Sequence, residues 1–230
     1  MPTLIKSSPL AAVYRRYPVQ TVLDSGWQIA EHFGQLQRER QQLVSGAVLA
    51  DWSHLSKLSV SGREAARYLE SLLPGAGTMA PLSGRVAGSI VILRLTVNDY
   101  LLLCQAAQNT QLLPSEPDAV LGTLYRAVNI IDHSGALGCF VLAGPRRDNV
   151  LERSTAVDLR RDRVAAGAVL QTSIHTVRCT LYRTEALEVI LHPRSLSESL
   201  FDALMDVGVG VGLMPTGLAT LPVAELTCHC

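Results

Sequence analysis

The most reactive-looking residues in the sequence are its last three, Cys228-His229-Cys230. Two thiolates and an imidazole suit a soft metal, but a zinc site needs four ligands, or three and a water, fixed in space. C-x-C is too tight, and no C-x-x-C supplies the remainder. A terminal tripeptide is also poorly held, so the tail is read as no metal site. Asp51, Ser53 and His54 stand close together, as do Asp132 and His133, with the side chains for acid–base chemistry. No G-x-S-x-G nucleophile elbow accompanies them. Asp51 and Ser53 are expected instead to turn or cap the chain after a strand. His175 alternates with apolar neighbours, which predicts a packed or surface position in a strand. Arg160, Arg161 and Arg163 suit a carboxylate ligand, an acidic partner or a solvated link. Gly208-x-Gly210-x-Gly212 follows a predicted helix rather than a strand, so it reads as a helix stop, not a dinucleotide fingerprint. Gly84 and Gly88 have the wrong spacing for that fingerprint too. No catalytic constellation emerges from the residues themselves.

The elements that must position these residues come from an internal repeat. Leu58 to Leu72 (LSVSGREAARYLESL) and Phe140 to Ser154 (FVLAGPRRDNVLERS) superpose at a shift of 82 without a gap. Gly62 falls on Gly144, Leu69 on Leu151 and Glu70 on Glu152. Both copies run from an apolar strand through one glycine into apolar residues at helical spacing. Glycine suits that corner because it tolerates φ > 0. A hairpin is predicted after each copy: 89–104 around Val97-Asn98-Asp99, and 173–192 around Thr184-Glu185. Each hairpin leads to a predicted helix, near 117–127 and 195–207. The expected architecture is α+β, two related β-α-β-β-α lobes, with the cleft between them as the default ligand site. The expected boundaries are an arm over 1–20, a domain over 21–222 with lobes about 45–127 and 128–208, and a tail over 223–230. Further expectations are an irregular arm, a helix over 35–45, and one strand over 49–57. Residues 74–88 should be loop and 155–172 an extended link. Residues 128–144 should be a strand pair turning at His133-Ser134-Gly135, and a covering loop or strand should end the chain.

Composition bounds the partners. The sequence has 230 residues, 48% of them hydrophobic and 17% charged, with Lys+Arg and Asp+Glu both 20. Neutrality without a basic tract argues against nucleic acid and gives no reason for a membrane surface. A neutral, apolar chain tends to associate, so a partner subunit is expected. No run of eighteen apolar residues and no signal peptide are visible, which makes the cytoplasm the default location. Five scattered cysteines do not form a disulfide framework.

The ordered segments GWQIAEHFG, ADWSHLSKLSVSGREAARYLESLLPG, NDYLLLCQAAQ and LEVILHPRSLSESLFDALMDVGVGVGLMPTGL resemble folate-dependent aminomethyltransferases, the T-protein of glycine cleavage. The second half, VLERSTAVDLRRDRVAAGAVLQTSIHTVRCTLYRTEALEVIL, is similar to the gamma subunit of heterotetrameric sarcosine oxidase. The resemblance covers about residues 20–220 and implies paired αβ lobes around a tetrahydrofolate cleft. It also marks departures. The family's acidic pair falls on Gly88 and Ser89, so its catalytic carboxylate is absent. The family's asparagine falls on Gln105. The Y-T-G-E stretch is contracted to YRTEALE, leaving Tyr182, Glu185 and Glu188. The arginine-bearing helix is replaced, and the C-terminal barrel domain is absent from this sequence. The folate-facing positions implied are Ser89, Gln105, Tyr182 and Glu188, with no catalytic residue. The implied role is a non-catalytic folate-binding protein or subunit of a larger oxidase or one-carbon complex, with a homo-oligomer as the other association. The alternative is a diverged tetrahydrofolate-dependent methyl- or aminomethyl-transferase using other acids, such as Asp51 or Glu188.

Overall fold

The computed structural model describes residues 4–106, 127–160 and 162–224. The repeat is visible as two strand–glycine–helix corners. In the first, β5 (Ser56–Ser61) turns at Gly62 into α3 (Ala65–Leu72). In the second, β10 (Leu137–Ala143) turns at Gly144 into α4 (Arg147–Glu152). Both glycines have positive φ, 125° and 98°. A Cβ would lie 2.2 Å from the Ala127 carbonyl oxygen at Gly62 and 2.5 Å from that of Gly46 at Gly144. The corner therefore requires glycine for both conformation and space.

The predicted hairpins are β7 (Ile90–Arg94) with β8 (Asp99–Cys104), and β12 (Val177–Arg183) with β13 (Leu187–Pro193). Each is extended by a strand that the sequence hid. Residues 74–88 are not all loop, because β6 (Ser83–Ala87) pairs with β7. The 155–172 link ends in β11 (Val169–Ile174), which pairs with β12. Each lobe is thus β-α-β-β-β, with the same strand order: β6-β7-β8-β5 in one and β11-β12-β13-β10 in the other.

The lobes exchange strands. The expected strand over 49–57 is two: β4 (Ala47–Asp51) joins β10, four residues turn, and β5 starts the other sheet. Likewise β9 (Asn129–Asp132) does not pair with β10; it lies on β5. With β14 (Leu213–Thr216) parallel to β4, the sheets have six and five strands, in the orders β11-β12-β13-β10-β4-β14 and β6-β7-β8-β5-β9. Each crossing is bonded to the strand that follows the other: Trp52 N donates to Cys139 O in β10 (2.8 Å), and Lys57 N in β5 donates to Ser134 Oγ (2.9 Å).

The inner faces of the sheets pack on each other through Val48, Trp52, Val91, Leu103, Val141 and Val189. One outer face carries α3, whose Ala65, Tyr68 and Leu69 recur at helical spacing. The other carries α1 (Ala11–Tyr14), α4 and α5 (Ser197–Gly208), with Val13, Val150, Leu200, Phe201 and Leu204 buried. The remaining helix, α2 (Leu36–Ser45), matches the expected 35–45, and α5 the expected 195–207. After α5, Gly212 takes a left-handed conformation at the stop (φ 75°).

The amino-terminal segment is not an irregular arm. It forms β1 (Lys6–Ser7) and α1, and leads into β2 (Gln20–Asp24) and β3 (Trp27–His32), a three-stranded sheet ordered β1-β3-β2. The helix expected near 117–127 and the terminal Cys-His-Cys fall outside the described residues, apart from Ala127. Among the described residues no helix is long and apolar enough to cross a membrane.

Candidate functional site

Three places hold the residues that could carry function. The first is the end of the β7–β8 ladder. Its register, Val91 opposite Leu103, carried two residues further sets Ser89 opposite Gln105. Both are exposed, Ser89 in the β6–β7 turn beside Gly88 (φ 60°) and Gln105 just past β8. Tyr182 lies elsewhere, buried between the sheets, where its ring fills the space a Cβ on Gly84 would need, 2.5 Å away. Glu188 lies on the opposite face of the six-stranded sheet, buried and paired with Arg183. The β7–β8 register thus directs Ser89 and Gln105 to the same end of the five-stranded sheet, whereas Tyr182 and Glu188 lie on opposite faces of the six-stranded one.

Burial and pairing explain the state of Glu188. Loss of water pushes its carboxyl up to about 7 against the pull of Arg183 and Arg147, and the nearby Asp148 carboxylate adds to the rise. Arg183 also meets Asp148 at 3.1 Å and donates to the carbonyls of Leu159 (2.5 Å) and Val164 (3.3 Å). This network ties the 155–168 link to the sheet. The described members of the predicted Arg160, Arg161 and Arg163 group lie on that link. Arg160 pairs with Asp158 at 2.6 Å, and Arg163 stands 3.9 Å from Asp162.

The second place is the strand crossing at residues 51–57. Asp51 accepts from Ser8 Oγ (2.5 Å), Tyr14 OH (3.2 Å) and Ser53 N (2.9 Å), so it turns the chain as expected. Ser53 Oγ accepts from Cys139 N at 3.0 Å. His54 is buried and, among the described residues, neither ring nitrogen forms a hydrogen bond; its Nε2 stands 3.6 Å from Asp24. Burial lowers its pKa, opposed by Asp24 and Asp51. Lys57 was not anticipated from the sequence. It is fully buried, donates from Nζ to Ser53 O (2.7 Å), and has its pKa lowered by burial. No local pattern marks it: Lys57 shares its face of β5 with Ser59 and Ser61, a side that reads as solvent-facing until the second sheet covers it, while Leu58 and Val60 face α3. Burial also pushes the thiols of Cys104, Cys139 and Cys179 up to about 11, 12 and 11, which makes them poor nucleophiles.

The third place is an open groove of about 950 Å³ at the β11–β12 end of the six-stranded sheet. Leu101, Leu137 and Leu191 border it where the inner layer opens, and Gln171, Arg178 and Thr180 line it from the strands. His175 is not within a strand. It occupies the β11–β12 turn at positive φ (49°), exposed at the groove's rim, with its N–H donating to Ser154 O (2.9 Å). Among the described residues no group of three His, Cys, Asp or Glu side chains could hold a metal ion.

The family model described as the GCVT N-terminal domain matches residues 11–226. The chain belongs to that family. Its relatives include the aminomethyltransferases of Desulforamulus reducens, 24% identical over 229 residues, and Geobacillus kaustophilus, 27% identical over 229. These alignments cover 93% and 94% of this chain but 61% and 62% of the relatives. The chain thus spans about three-fifths of their length. Among solved structures, the glycine cleavage aminomethyltransferase T of Bartonella henselae superposes with a TM-score of 0.75 at 17% identity, over 94% of this chain and 60% of that one. A chain of heterotetrameric sarcosine oxidase from Corynebacterium sp. U-96 superposes at 0.59 with 22% identity, over 77% of this chain and 92% of that one. The fold is therefore the aminomethyltransferase-like one expected from the resemblance.

Proposed function

We propose that this chain is a folate-binding, aminomethyltransferase-like subunit of a larger cytoplasmic complex in one-carbon or amine metabolism, without catalysis of its own. The observation that carries the reading is the exposed turn at Gly88-Ser89, where the resemblance expects an acid and the chain offers none. A neutral turn cannot supply the negative charge that would stabilise an iminium-like one-carbon centre. The acids a diverged transferase would recruit are already committed. Asp51 accepts three internal hydrogen bonds and Glu188 is locked to Arg183. Ser89 and Gln105 are the pair we assign to a folate-like ligand, because the β7–β8 register brings them to one end of the sheet. Similarity to a chain of a heterotetrameric oxidase supports the subunit role.

The test joins binding, turnover and association. Tetrahydrofolate at 100 times its dissociation constant should stabilise the folded chain by about 2.7 kcal/mol, seen as a rise in unfolding temperature. No one-carbon product should form with the chain alone. Affinity purification from its native host should recover a stoichiometric larger subunit. No shift at millimolar tetrahydrofolate would remove the ligand from the reading. Folate-dependent transfer by the isolated chain would establish the enzyme alternative instead.

A further inference from the structure

We infer that the groove beside the β11–β12 turn is a second ligand site, one that takes an amphipathic organic anion: a carboxylate or sulfonate head on an apolar body. Its volume, about 950 Å³, is that of a small-molecule site. Its charge is one-sided. Arg153 and Arg178 line it with His175, and among the described residues none of the lining is acidic, although the whole chain carries equal numbers of acids and bases. Among the described residues neither arginine has an ion-pair partner, in contrast to Arg16, Arg160 and Arg183. An unpaired guanidinium presents a planar fork to a carboxylate or sulfonate. The floor is of the opposite character, since Leu101, Leu137 and Leu191 extend the apolar inner layer into the opening. Polar Thr180, opposite both Leu191 and Gln171 and two residues from Arg178 on the same face of β12, can fix the orientation of the head. Backbone geometry supports the same place. His175 is held at positive φ and strapped to Ser154, which rigidifies the rim. Neither Ser89 nor Gln105 lines this groove, so the site is separate from the folate-like one.

Titration of the full chain with anilinonaphthalenesulfonate, followed by fluorescence, reads the site directly. One saturable site per chain is expected, emptied by octanoate and not by octanol at the same concentration. Arg178→Ala should weaken the probe about tenfold, the loss of one charge-assisted contact, and Arg178→Lys less. Arg153→Ala is the second variant should Arg178→Ala fail to fold, as judged by its unfolding temperature. Arg16→Ala, on an exposed ion pair elsewhere, should leave binding unchanged. Equal affinity in both groove variants, or equal displacement by octanol, would overturn the proposal. Tetrahydrofolate should leave the probe bound; if it displaced the probe, the groove would not be a separate site. Failure of the folate reading alone changes none of these outcomes.

Discussion

The two halves of the molecule solve one problem with the same residue and different company. In each, a long loop follows the helix and must be tied back to the sheet. In each, the tie is a buried arginine at the last position of the middle strand, Arg94 ending β7 and Arg183 ending β12. Arg94 donates to the carbonyls of Gly77 and Met79 in its loop and to Val97 in the hairpin turn. Arg183 donates to Leu159 and Val164 in the other loop. Their cross-strand partners differ: Arg94 faces Tyr100 and Arg183 faces Glu188. The first guanidinium lies over an aromatic ring at 5.2 Å, whereas the second forms a buried ion pair and reaches Asp148 as well. The pin is thus set by the fold, and charge compensation is left to whatever residue lies opposite. Glu188, expected at a ligand, is the compensating charge for a structural arginine.

That comparison ranks the consequences of breaking each pin. Arg183→Ala should be the more damaging, at about 3–5 kcal/mol, because it strands the buried Glu188 carboxyl without its partner. Arg94→Ala leaves carbonyls short of donors and removes a cation–π contact but strands no charge, so about 2 kcal/mol is expected. Urea unfolding of both variants at neutral pH measures the difference. Equal losses would mean that ion pairing adds nothing to the pin.

Neither arginine stood out in the sequence, although each directly precedes a polar turn, in LRLTVND and LYRTEAL. The spacing between them is 89 residues, whereas the strand–glycine–helix corners repeat at 82, so a gapless comparison loses the correspondence after the helix. The corners were legible because their chemistry is local. A glycine at positive φ between an apolar strand and an amphipathic helix leaves a short-range pattern. The paired hairpins were legible for the same reason. β6 was not, since SGRVA sits in a proline- and glycine-rich stretch and is stabilised by pairing with β7 rather than by its own propensity. The exchange of β4 and β9 between sheets was invisible, because four-residue crossings at 52–55 and 133–136 look like ordinary turns until both sheets exist. Of the candidate site, the placement of Ser89 and Gln105 at one end of the sheet follows from a hairpin register, which sequence can supply. The groove joins β8, β10, β11, β12 and β13 with the α4 end, and no local pattern announces it.

The smallest expected effect sharpens the comparison most. Glu188→Gln keeps an oxygen opposite Arg183 Nε and removes only the negative charge, so its cost at pH 7 should be no more than about 1 kcal/mol. Its signature lies in the pH dependence. The folded-state carboxyl is raised from 4.5 to about 7, so between those values the folded chain holds a proton that the unfolded chain has released. Its favourable contribution is complete below 4.5 and is lost as pH rises through about 7. Stability of the native chain relative to Glu188→Gln should therefore fall from pH 4.5 to pH 8. Buried His192 slopes the other way, because burial lowers it from 6.5 to about 4 and costs stability as pH falls through that window. Since His192 is common to both proteins, it cancels in the difference. A flat difference curve in paired urea titrations would mean that Arg183 keeps Glu188 ionised throughout. The second half would then hold a permanent ion pair where the first half holds a cation on a ring, and the two pins would differ in charge at every pH.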